Sequence, residues 1–272
     1  MLDELVSSLL YEGYALYPYT PGATKNATPT PFGIVYPPVY AAGGSSTFDL
    51  AQIECEFTAD RAATINATVW FLTPSGERHE AAERSVPVGP LALGESAAQP
   101  FAEGYVTLGS EASESGDRWR MSCAIHNTVE VPDGLDRGAA LMHSLISTHI
   151  VVKVDGGRFL SPLDSDGCES INSFPVLATP EDDAILGAAI VLPNHPRIAE
   201  ESRVNLFDNS EIEEALLLHV HALSEDERAS MADQDPVVRE MIARALATTP
   251  EEMIALHGGL KPTSEVLRGS GL

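Results

Sequence analysis

The side chains that could do chemistry are few and far apart. The cysteines are Cys55, Cys123 and Cys168. An odd number at such distances in sequence reads as buried thiols rather than a disulfide framework. No Cys-x-x-Cys, His-Glu-x-x-His or EF-hand pattern occurs, so none of the common zinc or calcium frameworks is spelled out. His219-x-His221 is a poor chelate, because residues two apart on a helix point about 200° from one another. The remaining metal-type or hydrolytic set is Cys168, His195 and Asp208, with the soft ligand in an acidic loop between Asp164, Asp166 and Glu169. Carboxylates beside a thiol raise its pKa, which works against a reactive thiolate there. No Gly-x-Ser-x-Gly elbow presents a serine, and Ser144, Ser161, His126, His143 and His149 stand in no nucleophile–base pattern. Neither a Gly-x-Gly-x-x-Gly nor a Walker loop is present, so no phosphate-bearing cofactor has a cradle. The residues therefore point away from an enzyme, and no cofactor is expected.

The charge balance narrows the partners. Sixteen Lys and Arg face 40 Asp and Glu in 272 residues, a net charge of −24. Only Lys25, Lys153 and Lys261 are lysines. Such a field repels phosphate backbones, so nucleic acid is excluded as a partner. No stretch approaches the roughly 18 apolar residues of a spanning helix, and Met1-Leu2-Asp3-Glu4 carries acids where a signal peptide carries bases. A cytoplasmic protein without membrane insertion is the expectation. Acids spread evenly along the chain, with arginine favoured over lysine, suggest a halophilic cytoplasm, where salt screens the self-repulsion.

The elements that must position these residues fall into three blocks. Residues 1–30 open with Leu5, Val6, Leu9 and Leu10 at helical spacing and run into a Tyr/Pro-rich segment. Residues 31–200 form a β-rich body. There Ile53, Cys55 and Phe57 alternate with acids, Ile65, Ala67, Val69 and Phe71 alternate with polar residues, and Trp119, Met121, Cys123 and Ile125 repeat the pattern. This is the period of half-buried antiparallel strands. One inserted helix is expected near 137–148, before the strand His149–Val154, and a further apolar strand over Ile185–Leu192. Residues 201–272 read as short helices packed on the body, with capping boxes at Asp208/Glu211 and Ser224/Glu227 and proline starts at Pro236 and Pro250. The expected class is α+β, an antiparallel β-sandwich-like body with a C-terminal set of short helices. Cys55…Trp70…Cys123 echoes the immunoglobulin spacing and supports the sandwich.

Six of the seven tyrosines lie within the first 40 residues. Tyr11, Tyr14, Tyr17 and Tyr19, followed by Lys25 and Asn26, are the candidate protein-interaction residues, since tyrosine gives large contact area at low rotamer cost. Two alternatives stay open beside a docking protein: a metal-handling or hydrolytic enzyme at Cys168/His195/Asp208, and a β-sandwich module for a small ligand.

The order of several blocks adds a resemblance. Leu10-Tyr11-Glu12-Gly13-Tyr14-Ala15-Leu16-Tyr17-Pro18-Tyr19 leads to Lys25-Asn26 and then Phe32-Gly33-Ile34-Val35-Tyr36-Pro37-Pro38. Further on stand Phe159-Leu160-Ser161-Pro162-Leu163-Asp164, Phe174-Pro175-Val176-Leu177 and His195-Pro196-Arg197-Ile198-Ala199-Glu200-Glu201-Ser202. Leu206-Phe207-Asp208-Asn209-Ser210-Glu211-Ile212-Glu213-Glu214 closes the series. Together these resemble a family encoded beside uptake NiFe-hydrogenase genes in actinobacteria and other prokaryotes. The chain departs from it in lacking basic residues after the Tyr-Pro-Tyr and Lys-Asn elements, and in carrying Phe174 where tryptophan is usual before Pro-Val. The resemblance implies an accessory role in hydrogenase maturation, assembly or subunit support, with hydrogenase subunits or maturation factors as partners. It carries over no catalytic residue.

The salt-adapted reading makes a thermal prediction. Raising sodium chloride from about 0.1 M to about 1 M shortens the screening length from ~10 Å to ~3 Å. The unfolding midpoint should rise by at least ~4 °C, or ~2 kcal/mol for a chain of this size. A flat or falling midpoint in scanning calorimetry overturns that reading.

Overall fold

The computed structural model describes residues 2–15, 32–44, 46–75, 80–113, 118–162 and 168–197, together with Arg239, Ala243, Leu246 and Ala247. One antiparallel sheet of nine strands dominates. In chain order the strands are β1 (Leu50–Ser75), β2 (Glu80–Ala92), β3 (Ser96–Phe101), β4 (Gly104–Ala112), β5 (Trp119–Asn127), β6 (Ile146–Phe159), β7 (Ser170–Ile171), β8 (Phe174–Leu177) and β9 (Ala184–Ala188). The sheet runs β3-β4-β5-β1-β6-β9-β8, with β2 and β7 paired to β1 off that path.

The 26-residue β1 serves two halves of the sheet. Its first half pairs with β5, Ile53 opposite Cys123 and Cys55 opposite Met121. Its second half lies between β2 and β6, with Val69 opposite Val86 on one side and Ile150 on the other. Between the halves the register with β6 slips: Ala59 faces Gly157 and Thr64 faces Asp155. Residues 60–63 therefore stand against Gly156 alone, a bulge that bends the strand. Gly156 takes φ +80°, and a Cβ on Gly157 would lie 2.7 Å from the Thr58 carbonyl oxygen and from a Val154 methyl. Backbone approaches that close need glycine.

The bend lets the sheet curl over one apolar face. The same cluster takes Ile53, Cys55 and Phe57 from the first half of β1, Ile65, Val69 and Phe71 from the second, Met121 and Cys123 from β5, and Ile150 and Val152 from β6. Phe71 of β1 meets Phe101 of β3 at 5.4 Å between ring centroids, although β4 and β5 separate those strands in the sheet order. The alternation read from the sequence is present residue by residue, with Ile65, Ala67, Val69 and Phe71 buried.

The expected fold class is corrected. The body is one continuous open sheet with edges at β3 and β8, not a sandwich of two sheets, and strands rather than an α+β mixture dominate the described residues. A buried alternating face looks the same in both architectures; what decides between them is that β1 passes unbroken through both halves. Cys55 and Cys123 accordingly sit on neighbouring strands, and Trp70 has the opposite facing from Val69 and Phe71, so the immunoglobulin echo has no structural counterpart.

Helices play a small part among the described residues. α1 (Leu2–Ala15) buries Leu5, Val6, Leu9 and Leu10. It packs against β6, where Ser147 Oγ donates to the Leu9 carbonyl at 3.4 Å. That cover explains why residues 146–152 are buried on both faces of their strand. α2 (Pro38–Ala41) and α3 (Arg137–Leu141) have four and five residues. α3 is capped by Asp136, whose carboxylate accepts the Ala139 N–H at 2.8 Å. The helix expected over 137–148 is cut short because β6 already begins at Ile146. Residues 198–272 make a second compact unit, in which Arg239, Ala243, Leu246 and Ala247 are helical. The rest of the expected C-terminal helix set lies outside the described residues.

Gly157 tests the bend. Gly157→Ala should lower stability by ~2 kcal/mol, the cost of forcing a methyl into a filled site, read as a lower urea midpoint at unchanged slope. An unchanged midpoint means the bulge tolerates a side chain and does not fix the curl.

Candidate functional site

A shallow groove of about 180 Å³ opens where β7 and β8 meet the first half of β1. Glu54, Cys168, Ser170, Phe174, Val191 and Leu192 are among its lining residues. Phe174 is 47% exposed and Val191 75% exposed, so two large apolar side chains face water beside it. The charged residues at and near the groove are held in place. Glu54 accepts the Glu169 N–H at 3.2 Å, and Glu56 pairs with Arg118 at 3.1 Å and Arg120 at 3.9 Å. At this exposure those pairs orient side chains more than they stabilise the fold.

The edge strand β8 is closed to further strands. At Leu177 the N–H donates to Asn194 Oδ1 at 3.0 Å, and the carbonyl accepts the His195 N–H at 2.6 Å. Both groups point away from β9. By the alternation of an antiparallel ladder Pro175 points the same way, and it has no N–H to offer. Asn194 also donates to Ser161 Oγ at 2.9 Å. His195 stands at φ +56° and Asp182 at φ +58°, and their side chains meet at 2.8 Å, His195 Nε2 to Asp182 Oδ1. The Pro193-Asn194-His195-Pro196 turn is thus a clasp over the sheet edge.

This places the sequence-predicted residues. Cys168 lies in the groove, and His195 serves the clasp with Asp182 as its partner. Asp208 lies outside the described residues. Among the described residues no group of three or more His, Cys, Asp or Glu side chains could hold a metal ion. Tyr11 and Tyr14 are in helix α1 by their backbone, and their side chains, like Tyr17, Tyr19, Lys25 and Asn26 as a whole, lie outside the described residues. What the sequence reading missed is Val191 and Asp182. Val191 closes an apolar run that reads as strand interior, yet β9 ends at Ala188 and releases it to the surface.

The titratable groups are tuned by burial. Desolvation pushes the Cys123 thiol up to about 12 and raises Cys55 further, with Cys168 and Glu54 adding to the latter. Cys168 is raised by its own burial, which outweighs the opposing pull of Arg120. His149 is fully buried and is lowered to about 4 by desolvation, against the hydrogen bond of its Nδ1 to the Ser147 carbonyl at 2.7 Å. His126, stacked on Tyr105 with centroids 4.6 Å apart, is lowered by burial and pulled back by Asp49. A second hollow of about 270 Å³ is lined by Val39, Tyr40, Gly43, Thr47 and Leu135, next to the Tyr36–Tyr40 ring pair at 4.9 Å.

No family model matches the chain, and no curated protein matches it. Among solved structures, that of the Clostridium perfringens CspB protease is similar at 11% identity and a TM-score of 0.22, over 51% of this chain and 21% of that one. A likeness this slight carries no argument. Among the described residues no helix is long and apolar enough to cross a membrane, which leaves strands aside.

His149 makes a pH prediction. Its folded pKa lies below the ordinary 6.5, so below that value the unfolded chain binds the proton first. Stability is untouched above about pH 6.5 and falls as pH drops from there to about 4, by roughly 3 kcal/mol in all. His149→Asn, which keeps an N–H donor for the Ser147 carbonyl, should remove this part of the slope in urea titrations at pH 7.5 to 4.5. Parallel profiles for the two proteins refute the assignment.

Proposed function

We propose that the chain is a non-catalytic accessory protein that supports NiFe-hydrogenase maturation or assembly through protein–protein contacts. The observation that carries the docking part is the pair Phe174 and Val191, 47% and 75% exposed beside the groove. A solvated aromatic ring with an apolar neighbour at a concave surface suits an interface anchor. Because Pro175 and the Asn194–His195 turn close the edge of β8, the partner docks on side chains and not by adding a strand. The hydrogenase part rests on the shared order of sequence blocks, of which Phe174-Pro175-Val176-Leu177 and His195-Pro196-Arg197 flank this groove and its clasp. The histidine beside the groove is engaged by Asp182, and the nearest thiol sits above its ordinary pKa. Both facts suit a surface that binds better than one that reacts.

The test is affinity capture from the native host at native salt, with hydrogenase subunits and maturation factors identified by mass spectrometry. The full chain should recover at least one of them. Phe174→Asp with Val191→Asp should reduce that recovery by at least about tenfold, the equivalent of ~1.4 kcal/mol of binding. Recovery unaffected by the double variant moves the contact elsewhere. Failure to recover any of these proteins while hydrogenase activity survives extraction removes the proposal. Stoichiometric nickel, zinc or iron in protein purified without chelator would favour a metal-handling protein instead.

A further inference from the structure

The register of β7 against β1 runs toward two of the three cysteines. β7 is antiparallel to β1, with Gln52 opposite Ile171 and Ile53 opposite Ser170. The Glu54 N–H donates to the Glu169 carbonyl at 3.0 Å, which carries the register one step further. Carried beyond the end of β7 at Ser170, the same register sets Cys55 opposite Cys168. The Glu169 N–H turns to the Glu54 carboxylate at 3.2 Å; since the Glu54 N–H points toward β7, the Cys55 N–H points the other way, toward β5, and Cys55 stands opposite Cys168 at a site without a main-chain bond. In a regular ladder opposed residues at such a site come closest, with Cα atoms about 4.5 Å apart. That separation lies inside the range a disulfide spans. The Cys168 sulfur takes a hydrogen bond from the main chain of Glu56, and the Glu56 nitrogen is bonded directly to the carbonyl carbon of Cys55. Cys123 has no such relation to Cys168: it sits on β5 opposite Ile53.

We propose that Cys55 and Cys168 are a redox pair that closes into a cross-strand disulfide, tying β7 and the groove wall to β1. Both are thiols in the structure described, Cys55 buried and Cys168 half-buried at the groove. Order of reaction follows exposure. The Cys168 thiolate attacks a peroxide, takes one oxygen as sulfenic acid and releases water or the corresponding alcohol. The Cys55 sulfur then attacks the Cys168 sulfur and displaces that oxygen as a second water. The two thiols lose two electrons and two protons, and the peroxide takes up both. Burial holds both thiols above the ordinary range, so the pair stays reduced under mild conditions and closes faster as pH rises. β7 is only two residues long, and it must open slightly for Cys55 to reach the sulfenic acid. The inference concerns the chain alone and does not depend on which partner it binds.

The experiment uses the purified full chain, treated with hydrogen peroxide or left reduced, then denatured, alkylated, digested and mapped by mass spectrometry. Oxidation should join the Cys55 and Cys168 peptides with the loss of two hydrogens, while Cys123 remains alkylated. Closure should run about tenfold faster at pH 8 than at pH 7, as thiolate becomes available. Cys168→Ser, a change at the half-buried member, should leave both remaining thiols free of any intramolecular link. Alkylation of all three cysteines after oxidation, a Cys55–Cys123 link, or only intermolecular Cys168 dimers on a non-reducing gel would each overturn the proposal.

Discussion

The structure depends on β1 being one strand. A sheet of nine strands with one apolar face must either find a second layer or curl until that face covers itself. Here the second layer is the sheet's own other half, and β1 is common to both. The bulge at residues 60–63 makes this possible, because a flat 26-residue strand would carry Ile53 and Phe71 far beyond mutual reach. Gly156 and Gly157 are the local concession, one at positive φ and the other where a methyl would meet the Thr58 carbonyl. Everything inside follows from that turn of the backbone: Phe57 on Phe159 at 5.5 Å, Phe71 on Phe101, and the two thiols Cys55 and Cys123 packed as small apolar groups.

How much of this is legible in the sequence depends on range. Facing is local, so the alternation of Ile65, Ala67, Val69 and Phe71 identifies the buried face correctly. The N-terminal helix and the start of α3 are local in the same sense, set by helical spacing and by the Asp136 cap. Connectivity between faces is not local. No local pattern tells whether residues 60–63 end one strand or bulge within it, and only the register with β6 shows the bulge. The helix expected to Thr148 fails for a related reason. Strand pairing with β1 claims Ile146 onward, and Ser147 at φ +53° absorbs the change of direction.

The groove repeats the distinction. Cys168 reads as chemically interesting from composition alone, but its setting comes from Glu54 and Arg120, which are remote in sequence. His195 reads as a possible ligand. Its role in the fold, as backbone donor to Leu177 and side-chain partner of Asp182, depends on a turn conformation at positive φ that no spacing rule reports.

An open curled sheet leaves edges, and unpaired edges invite strand addition. This chain meets that hazard with proline. Pro87 and Pro90 lie in β2, Pro100 in β3 and Pro175 in β8, three of the four strands that end the sheet or pair on one side in the order given; the fourth, β7, has only two residues. Each proline removes a donor from a strand border. Uniform negative charge adds repulsion between copies at low ionic strength. With main-chain pairing blocked and like charge opposing self-association, the proposed docking would run through exposed side chains on a fixed frame. The groove beside Phe174 and Val191 has that character, since the residues presenting it hang from β8 and from the clasp that seals β8. The same turn of chain therefore closes the sheet against unwanted strands and shapes the groove wall beside it.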